Sequence, residues 1–139
     1  MRIQRAFTFS ELIIVVAALA ILAAAAVPRF IAINSDIRAS AVEALAVNVQ
    51  SSAQLINRIW LSNGQPARLT ADGQSLELRF GFPTENSIGD IVINNGDFVF
   101  IYGYFKHRDL LSEQGCAVLY IPPSNPESSP VVIPYTDNC

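Results

Sequence analysis

The first thirty residues are dominated by one unbroken apolar run, from Leu12 to Val27. A short basic leader containing Arg2 and Arg5 precedes the run, and Pro28 follows it. As a helix, residues 7–27 would be about 31 Å long, close to the ~30 Å thickness of the hydrocarbon core of a bilayer. The pattern therefore predicts a helix that can span a membrane.

One carboxylate, Glu11, lies near the start of this apolar segment. A charge at membrane depth is costly, which makes it a candidate functional group. In a lone membrane helix, Glu11 would be protonated or would reach towards the interface and contact headgroups. Among packed helices it could instead meet a cation.

Beyond Pro28, apolar residues recur every three or four positions, which is typical of an amphipathic helix. The stripe consists of Phe30, Ile33, Ile37, Ala41, Leu45, Val49, Ala53, Ile56 and Trp60. Proline lacks an N–H and clashes with the preceding turn, so we expect a kink near Pro28. Gly64 and Pro66 predict the helix end. One helix over about residues 8–61 is predicted, with residues 34–36 as an alternative break.

The pattern changes after Gly64 to short runs that are typical of strands. A hairpin is predicted around residues 94–97, because asparagine and glycine favour tight turns. The predicted strands are Leu76–Phe80, Ile91–Ile93, Phe98–Tyr102, Ala117–Ile121 and Val131–Ile133. The fold class is therefore predicted to be α+β, with the long helix packed on an antiparallel sheet of about four strands.

Composition and charge narrow the class of function. The chain has 139 residues and a formal net charge of −3, and two of its nine basic residues lie in the leader. No basic patch remains to bind a phosphate backbone, so general nucleic-acid binding is not expected.

Catalytic and metal-binding patterns are also absent from the sequence. The single histidine, His107, has no nucleophile–base arrangement around it and is predicted to be a surface turn residue. The oxygen-rich turns at residues 72–73 and 94–97 lack the spacing of an EF-hand loop. We therefore expect no enzymatic activity, no cofactor and no metal.

Three interpretations of the N-terminus compete. A secretory signal peptide would be cut after the small residues Ala24–Ala26. A plain signal anchor would leave Glu11 unexplained. A cut between Ala6 and Phe7 would keep the apolar helix in the mature protein.

The stretch from Ala6 to Phe30 resembles the N-terminus of type IV pilins and pseudopilins. The shared features are a short basic leader, Phe7 as first mature residue, Glu11 as fifth, about twenty apolar residues, and Pro28 as twenty-second. The resemblance implies that a prepilin peptidase cuts after Ala6 and N-methylates Phe7. The family usually has glycine where this chain has Ala6, so slower cleavage is expected.

The resemblance also implies an assembly role for Glu11. Its carboxylate would pair with the N-terminal amine of Phe7 on a neighbouring subunit and set the axial register. The implied domains are a leader at residues 1–6, a transmembrane and assembly helix at residues 7–28, and a periplasmic or extracellular pilin head at residues 29–139. The implied partners are identical or related pilin subunits in a helical homopolymer, the prepilin peptidase and an inner-membrane assembly platform.

The two cysteines, Cys116 and Cys139, would be oxidised in the cell envelope and free thiols in the cytosol. The proline-rich segment between them, residues 122–130, is predicted to be an exposed loop. This ending resembles the disulfide-bounded C-terminal region of type IV pilins, which implies a Cys116–Cys139 disulfide. Together with the Pro-Arg-Phe at residues 28–30, it resembles mannose-sensitive haemagglutinin pilins.

The leading functional hypothesis is a structural subunit of a type IV pilus. Such a subunit would sit in the bacterial inner membrane before it joins an extracellular fibre for surface attachment or motility. One alternative is a pseudopilin of a type II secretion system; the major pseudopilin usually has a calcium site near its C-terminus and lacks a C-terminal disulfide. Another is a minor pilin or adhesin that uses the loop at residues 122–130.

Overall fold

The computed structural model describes residues 8–71, 73–94, 96–112 and 114–139. The predicted cleavage and methylation residues, Ala6 and Phe7, lie outside these ranges. The chain divides into two units, residues 1–35 and residues 36–139. Each unit is described by itself below.

The longest element is helix α1, Phe9–Ser62, with 54 residues. It confirms the helix predicted over residues 8–61. The backbone is helical at Pro28 and at residues 34–36, so the helix neither ends at the proline nor breaks at the alternative site. The kink at Pro28 stays a prediction.

The end of α1 is closed by a glycine-dependent cap. The N–H of Gln65 donates to the carbonyl of Trp60 at 3.0 Å, and the N–H of Gly64 donates to that of Leu61 at 3.2 Å. These two bonds form a Schellman motif, and Gly64 has a φ of +77°. The predicted glycine cap is therefore confirmed.

The second unit continues with two small hairpins, a short helix and a larger sheet. Strand β1 (Leu69–Ala71) pairs with β2 (Gln74–Leu76), and β3 (Leu78–Arg79) pairs with β4 (Phe82–Pro83). The short helix α2 is Ile88–Ile91. The remaining strands are β5 (Phe98–Ile101), β6 (Tyr104–His107), β7 (Ala117–Ile121) and β8 (Val131–Tyr135), with a 3-10 turn at Arg108–Leu110.

The larger sheet is a four-stranded antiparallel meander in the order β5-β6-β7-β8. Its first hairpin turns through Tyr102 and Gly103, whose φ values are +42° and +79°. Positive φ at both central residues is the geometry of a type I′ turn, which matches the twist of the strands it joins. A helix packed on a four-stranded antiparallel sheet confirms the predicted α+β fold.

The predicted hairpin around residues 94–97 is wrong. Residues 88–91 form α2, and β5 pairs with β6 instead. Two bonds hold this part of the chain elsewhere: Asn48 on α1 donates to the carbonyl of Ile93 at 2.7 Å, and the hydroxyl of Ser87, just before α2, donates to the carbonyl of Glu77 at 2.6 Å. Because these bonds tie the segment to other elements, it does not pair as a strand.

His107 is also placed differently from the prediction. It is the last residue of β6, and its side chain is only 12% exposed. Its ring meets that of Phe98 edge-on, with centroids 5.4 Å apart. His107 is therefore a packed strand residue rather than a surface turn residue.

The core lies between α1 and one face of the sheet. From α1, the buried residues are Val42, Leu45, Ala46, Val49 and Ala53. The sheet contributes Phe98, Phe105, Val118 and Tyr120. The predicted stripe is confirmed at Leu45, Val49, Ala53 and Ile56, but Ile33 and Ile37 are exposed. In the loop predicted to be exposed, Pro123 and Pro130 are buried.

Candidate assembly site

The first turn of α1 holds Glu11 in a reciprocal cap with Thr8. The N–H and the hydroxyl of Thr8 donate to Oε2 of Glu11 at 2.8 and 2.7 Å. The N–H of Glu11 donates back to Oγ1 of Thr8 at 3.3 Å. This is a capping box, in which the residue before the helix and the third helical residue satisfy each other's backbone donors.

The capping box fixes where the carboxylate lies. Glu11 points back over the helix start, where the helix dipole favours a negative group. An ionised carboxylate has about four acceptor positions on two oxygens, and the bonds from Thr8 use Oε2. A carboxylate held this way can therefore accept a further bond from a cation beside the helix start. The sequence reasoning missed Thr8, although its Thr-x-x-Glu spacing is the signature of this cap.

The segment after Glu11 is apolar and uncovered within the described residues. Residues Phe9–Val27 have a mean hydropathy of 2.5, and none of their side chains is buried. This is one helix segment long and apolar enough to cross a membrane. Residues with this much exposed apolar surface mark membrane or protein contacts. The segment therefore needs lipid or other helices around it.

The disulfide at the other end of the chain is formed. Cys116 and Cys139 are joined with Cα atoms 4.8 Å apart, and both are buried. Nε of Arg38, on α1, donates to the backbone carbonyl of Cys139. The predicted pairing is confirmed, and the bond from Arg38 fastens the disulfide-bounded segment to α1.

Glu85, in the second unit, is a carboxylate with two side-chain partners. Its Oε1 accepts from the hydroxyl of Tyr102 at 3.2 Å and from Nη2 of Arg79 at 3.4 Å. The pKa of Glu85 is lowered, first by its own backbone N–H and then by Arg79 and Tyr102, while burial opposes the shift. Among the described residues, no group of three or more His, Cys, Asp or Glu is placed to hold a metal ion. Asp72 and Asn95, from the oxygen-rich turns, lie outside the described ranges.

Comparison with known proteins identifies the N-terminus. Residues 1–27 match the family described as the prokaryotic N-terminal methylation motif. No curated protein and no solved structure matches the chain. The match includes Glu11 and the apolar segment, and the fold beyond it is a long helix on a four-stranded sheet closed by a disulfide. The chain therefore carries, at residues 1–27, the N-terminal methylation motif of the type IV pilin and pseudopilin class, and this motif is followed by a pilin-like α+β fold.

Proposed function

We propose that the chain is the structural subunit of a type IV pilus, with a role in surface attachment or motility. The observation that carries this proposal is the uncovered apolar helix Phe9–Val27, whose first turn holds the capped carboxylate of Glu11. Such a helix satisfies its backbone hydrogen bonds in a bilayer, and its small residues also let other copies of itself pack around it. One segment can therefore serve first as anchor and then as fibre core.

Processing comes first in the proposed sequence of events. A prepilin peptidase removes the leader, residues 1–6, by cutting between Ala6 and Phe7, and methylates the new amine on Phe7. Residues 7–28 then hold the subunit in the inner membrane, with residues 29–139 as the pilin head outside it. An inner-membrane assembly platform transfers the subunit into the extracellular fibre.

Glu11 sets the register of the fibre in this proposal. The amine of Phe7 on the neighbouring subunit approaches the carboxylate that Thr8 holds over the helix start. Because the surroundings are apolar, an unpaired charge there would be costly, and pairing favours one axial position over its neighbours. The alanines of residues 17–26 allow the helices to approach closely.

The buried Cys116–Cys139 disulfide supports a pilin over a pseudopilin. Major pseudopilins usually lack this bond and carry a calcium site instead. A chelator that left the melting temperature unchanged would agree with the pilin proposal. A fall in melting temperature with chelator would favour the secretion pseudopilin.

The proposal is tested by comparing Glu11→Gln with Thr8→Val in the full chain, expressed in a piliated host. Glu11→Gln keeps a side chain of the same size but removes the charge, so we expect at least a tenfold loss of subunit from sheared surface fibres. Thr8→Val keeps the charge and removes the hydroxyl of the cap, so we expect a smaller loss. Both variants should accumulate normally in the membrane fraction.

Normal fibre yield from Glu11→Gln would contradict the ion pair. The N-terminal mass of the mature wild-type protein tests the processing step separately. A species that begins at methylated Phe7 supports the proposal, whereas one that begins at Met1 or after Ala26 overturns it.

A further inference from the structure

A concavity of about 510 Å³ lies at one end of the larger sheet. Strand register places Lys106, Ala117 and Tyr135 in one row across β6, β7 and β8. Their neighbours Phe105 and Val118 are in the core, so the row lies on the sheet face turned away from α1. Because Ala117 is small, the longer side chains on either side of it form two walls above a low floor. Strands are ~4.8 Å apart, so these walls stand about 10 Å apart.

Two tyrosine rings line this concavity. Tyr135 is 37% exposed, and Tyr104, on β6, is 42% exposed. Among the described residues, neither hydroxyl has a hydrogen-bond partner. A tyrosine ring has an electron-rich face and a polar hydroxyl at its edge. The two rings therefore offer apolar contact and hydrogen bonding at the same place.

The rim of the concavity carries further polar groups. Gln114 and Asp137 both line it, and the side chain of neither makes a hydrogen bond to any described residue. Asn138 donates from its Nδ2 to the backbone carbonyl of Gln114 at 3.2 Å, which leaves its Oδ1 as an acceptor. Carboxamides both donate and accept, and a carboxylate accepts. The rim can therefore bind a ligand that has several hydroxyl groups.

The disulfide holds the two sides of the rim together. It joins Cys116, which follows Gly115, to Cys139, which follows Asn138. The N–H of Cys116 also donates to the carbonyl of Asp137 at 3.2 Å. Gly115 comes so close to that carbonyl that a Cβ in its place would lie 2.0 Å from the oxygen. The rim is therefore fixed before a ligand arrives, which lowers the entropic cost of binding.

We propose that this concavity binds a neutral saccharide. One face of a pyranose ring consists of C–H groups, whose partial positive charge packs well on the electron-rich face of a tyrosine ring. Its hydroxyl groups donate and accept, as the rim requires. The volume of the concavity lies within the range of about 300–1,000 Å³ that is typical of ligand pockets.

Charge disfavours the other classes of small ligand. The carboxylate of Asp137 repels phosphates and acidic sugars, and the ammonium group of Lys106 repels quaternary amines. Nζ of Lys106 is held at the carbonyl of Leu111, at 2.9 Å. With one charge of each sign among the lining residues, the concavity suits an uncharged ligand.

Saccharide binding is a property of the single chain and does not require that the chain polymerises. On a surface fibre the same site would serve attachment, and that role alone rests on the proposed function. The measurements below use single chains. Binding would therefore be observed even if the chain formed no fibres, and fibres would still form if the concavity bound nothing.

The first test is saturation-transfer NMR on the wild-type full chain in micelles of octaethylene glycol dodecyl ether, a detergent with neither sugar nor aromatic groups. The ligands are the methyl pyranosides of glucose, galactose, mannose and N-acetylglucosamine, which separate simple hexoses from acetamido sugars. On irradiation of aromatic protons, we expect transfer to the ring C–H protons of at least one pyranoside, but not to glycerol, glucuronate or choline. No transfer to any pyranoside, or equal transfer to glucuronate or choline, would overturn the inference.

The second test measures the dissociation constant of the best pyranoside for variants of the lining residues. Tyr135→Ala and Tyr104→Ala each remove one ring, so each should weaken binding at least tenfold. Ile121→Ala is the matched control, because Ile121 is on the same sheet face and 43% exposed but lies at the other end of β7 from Ala117. The control should bind as the wild type does. Unchanged affinity in both tyrosine variants, or an equal loss in the control, would contradict the site.

Asp137→Asn tests the charge argument separately. The variant keeps a hydrogen-bonding group of the same size but removes the negative charge. We expect the pyranoside to bind within threefold of its wild-type affinity, and glucuronate to bind at least fivefold more tightly than it binds the wild type. Unchanged glucuronate binding would show that Asp137 does not select the ligand, and the assignment to neutral saccharides would fall.

Discussion

At the scale of single residues, Glu85 makes the stability of the second unit depend on acid. Its pKa is lowered in the folded chain, chiefly by its own backbone N–H, with help from Arg79 and Tyr102. A carboxyl group whose folded pKa is lowered stabilises the fold above its unfolded pKa of about 4.3. That contribution disappears as the pH falls through the lower, folded value. We therefore expect Glu85→Gln to lose less stability on acidification than the wild type.

The measurement is thermal unfolding of the full chain in detergent micelles at pH 7 and pH 3.5. Fluorescence of Trp60, the single tryptophan, reports on the second unit. The fall in melting temperature between the two pH values should be smaller by about 1–3 °C in Glu85→Gln, because solvent weakens such ion pairs. Glu127→Gln, at an exposed position, is the control. An equal fall in melting temperature in all three proteins would contradict the role of Glu85 in the acid dependence of stability.

Residues of the candidate assembly site could be predicted from sequence where neighbouring positions of the chain form a recognisable pattern. Glu11 could be identified from sequence because a lone carboxylate in an apolar run has few structural explanations. Its partner Thr8 was equally accessible, since a threonine three residues before a glutamate at a helix start is a known cap. The relation of Arg38 to Cys139 was not accessible, because the two residues are about a hundred positions apart and no local pattern links them.

At the scale of elements, the end of α1 depends on Gly64. Its φ of +77° is a conformation that glycine adopts freely and that alanine adopts only with strain. No heavy atom lies within 4 Å of where its Cβ would be, among the described residues, so strain rather than crowding decides the effect. We expect Gly64→Ala to destabilise the second unit by about 1 kcal/mol.

Gly64→Asn is the matched variant, because asparagine tolerates the left-handed conformation better than alanine. Urea unfolding followed by Trp60 fluorescence should show Gly64→Asn between the wild type and Gly64→Ala. Equal midpoints for the two variants would mean that backbone strain at this cap is not what the substitution changes.

The elements that were predicted correctly are those whose formation depends on residues close together in sequence. The periodicity of α1 and the glycine that ends it lie within one continuous stretch. Strand β6 was missed because it is short and mixed: only Phe105 is fully buried, while Lys106 and His107 suggest a polar turn. The segment at residues 88–93 was misassigned because the carbonyl of Ile93 accepts a bond from Asn48 on α1, which is 45 positions away in sequence.

At the scale of the whole molecule, the sheet face turned away from α1 carries information that the sequence contained and that the strand prediction did not use. The runs in β5 and β7 are apolar at every position, which predicts strands and also predicts cover on both faces. Only the strand order reveals that α1 packs on one face, whereas Ile101, Ile121 and Val131 are exposed on the other. Which residues stand together on a sheet depends on pairing between strands, and pairing is set by the whole fold.

The Cys116–Cys139 disulfide stabilises the second unit in addition to its hydrophobic core. It joins residues 23 positions apart, and closing a loop of that size stabilises a fold by about 3 kcal/mol in the chain-entropy model. Cys139 also holds Arg38 through its backbone carbonyl, so opening the disulfide frees the segment that contacts α1. We expect the double variant Cys116→Ala, Cys139→Ala to melt about 10–20 °C below the wild type.

The measurement is Trp60 fluorescence during thermal unfolding of the full chain in detergent micelles, with and without reductant. Reductant should lower the melting temperature of the wild type to that of the double variant and should leave the double variant unchanged. If the double variant instead melted within about 3 °C of the oxidised wild type, the noncovalent core alone would account for the stability of the second unit. The bond from Arg38 to the backbone carbonyl of residue 139 would then have to form without the covalent link, because packing between α1 and the sheet already holds the C-terminal segment in place.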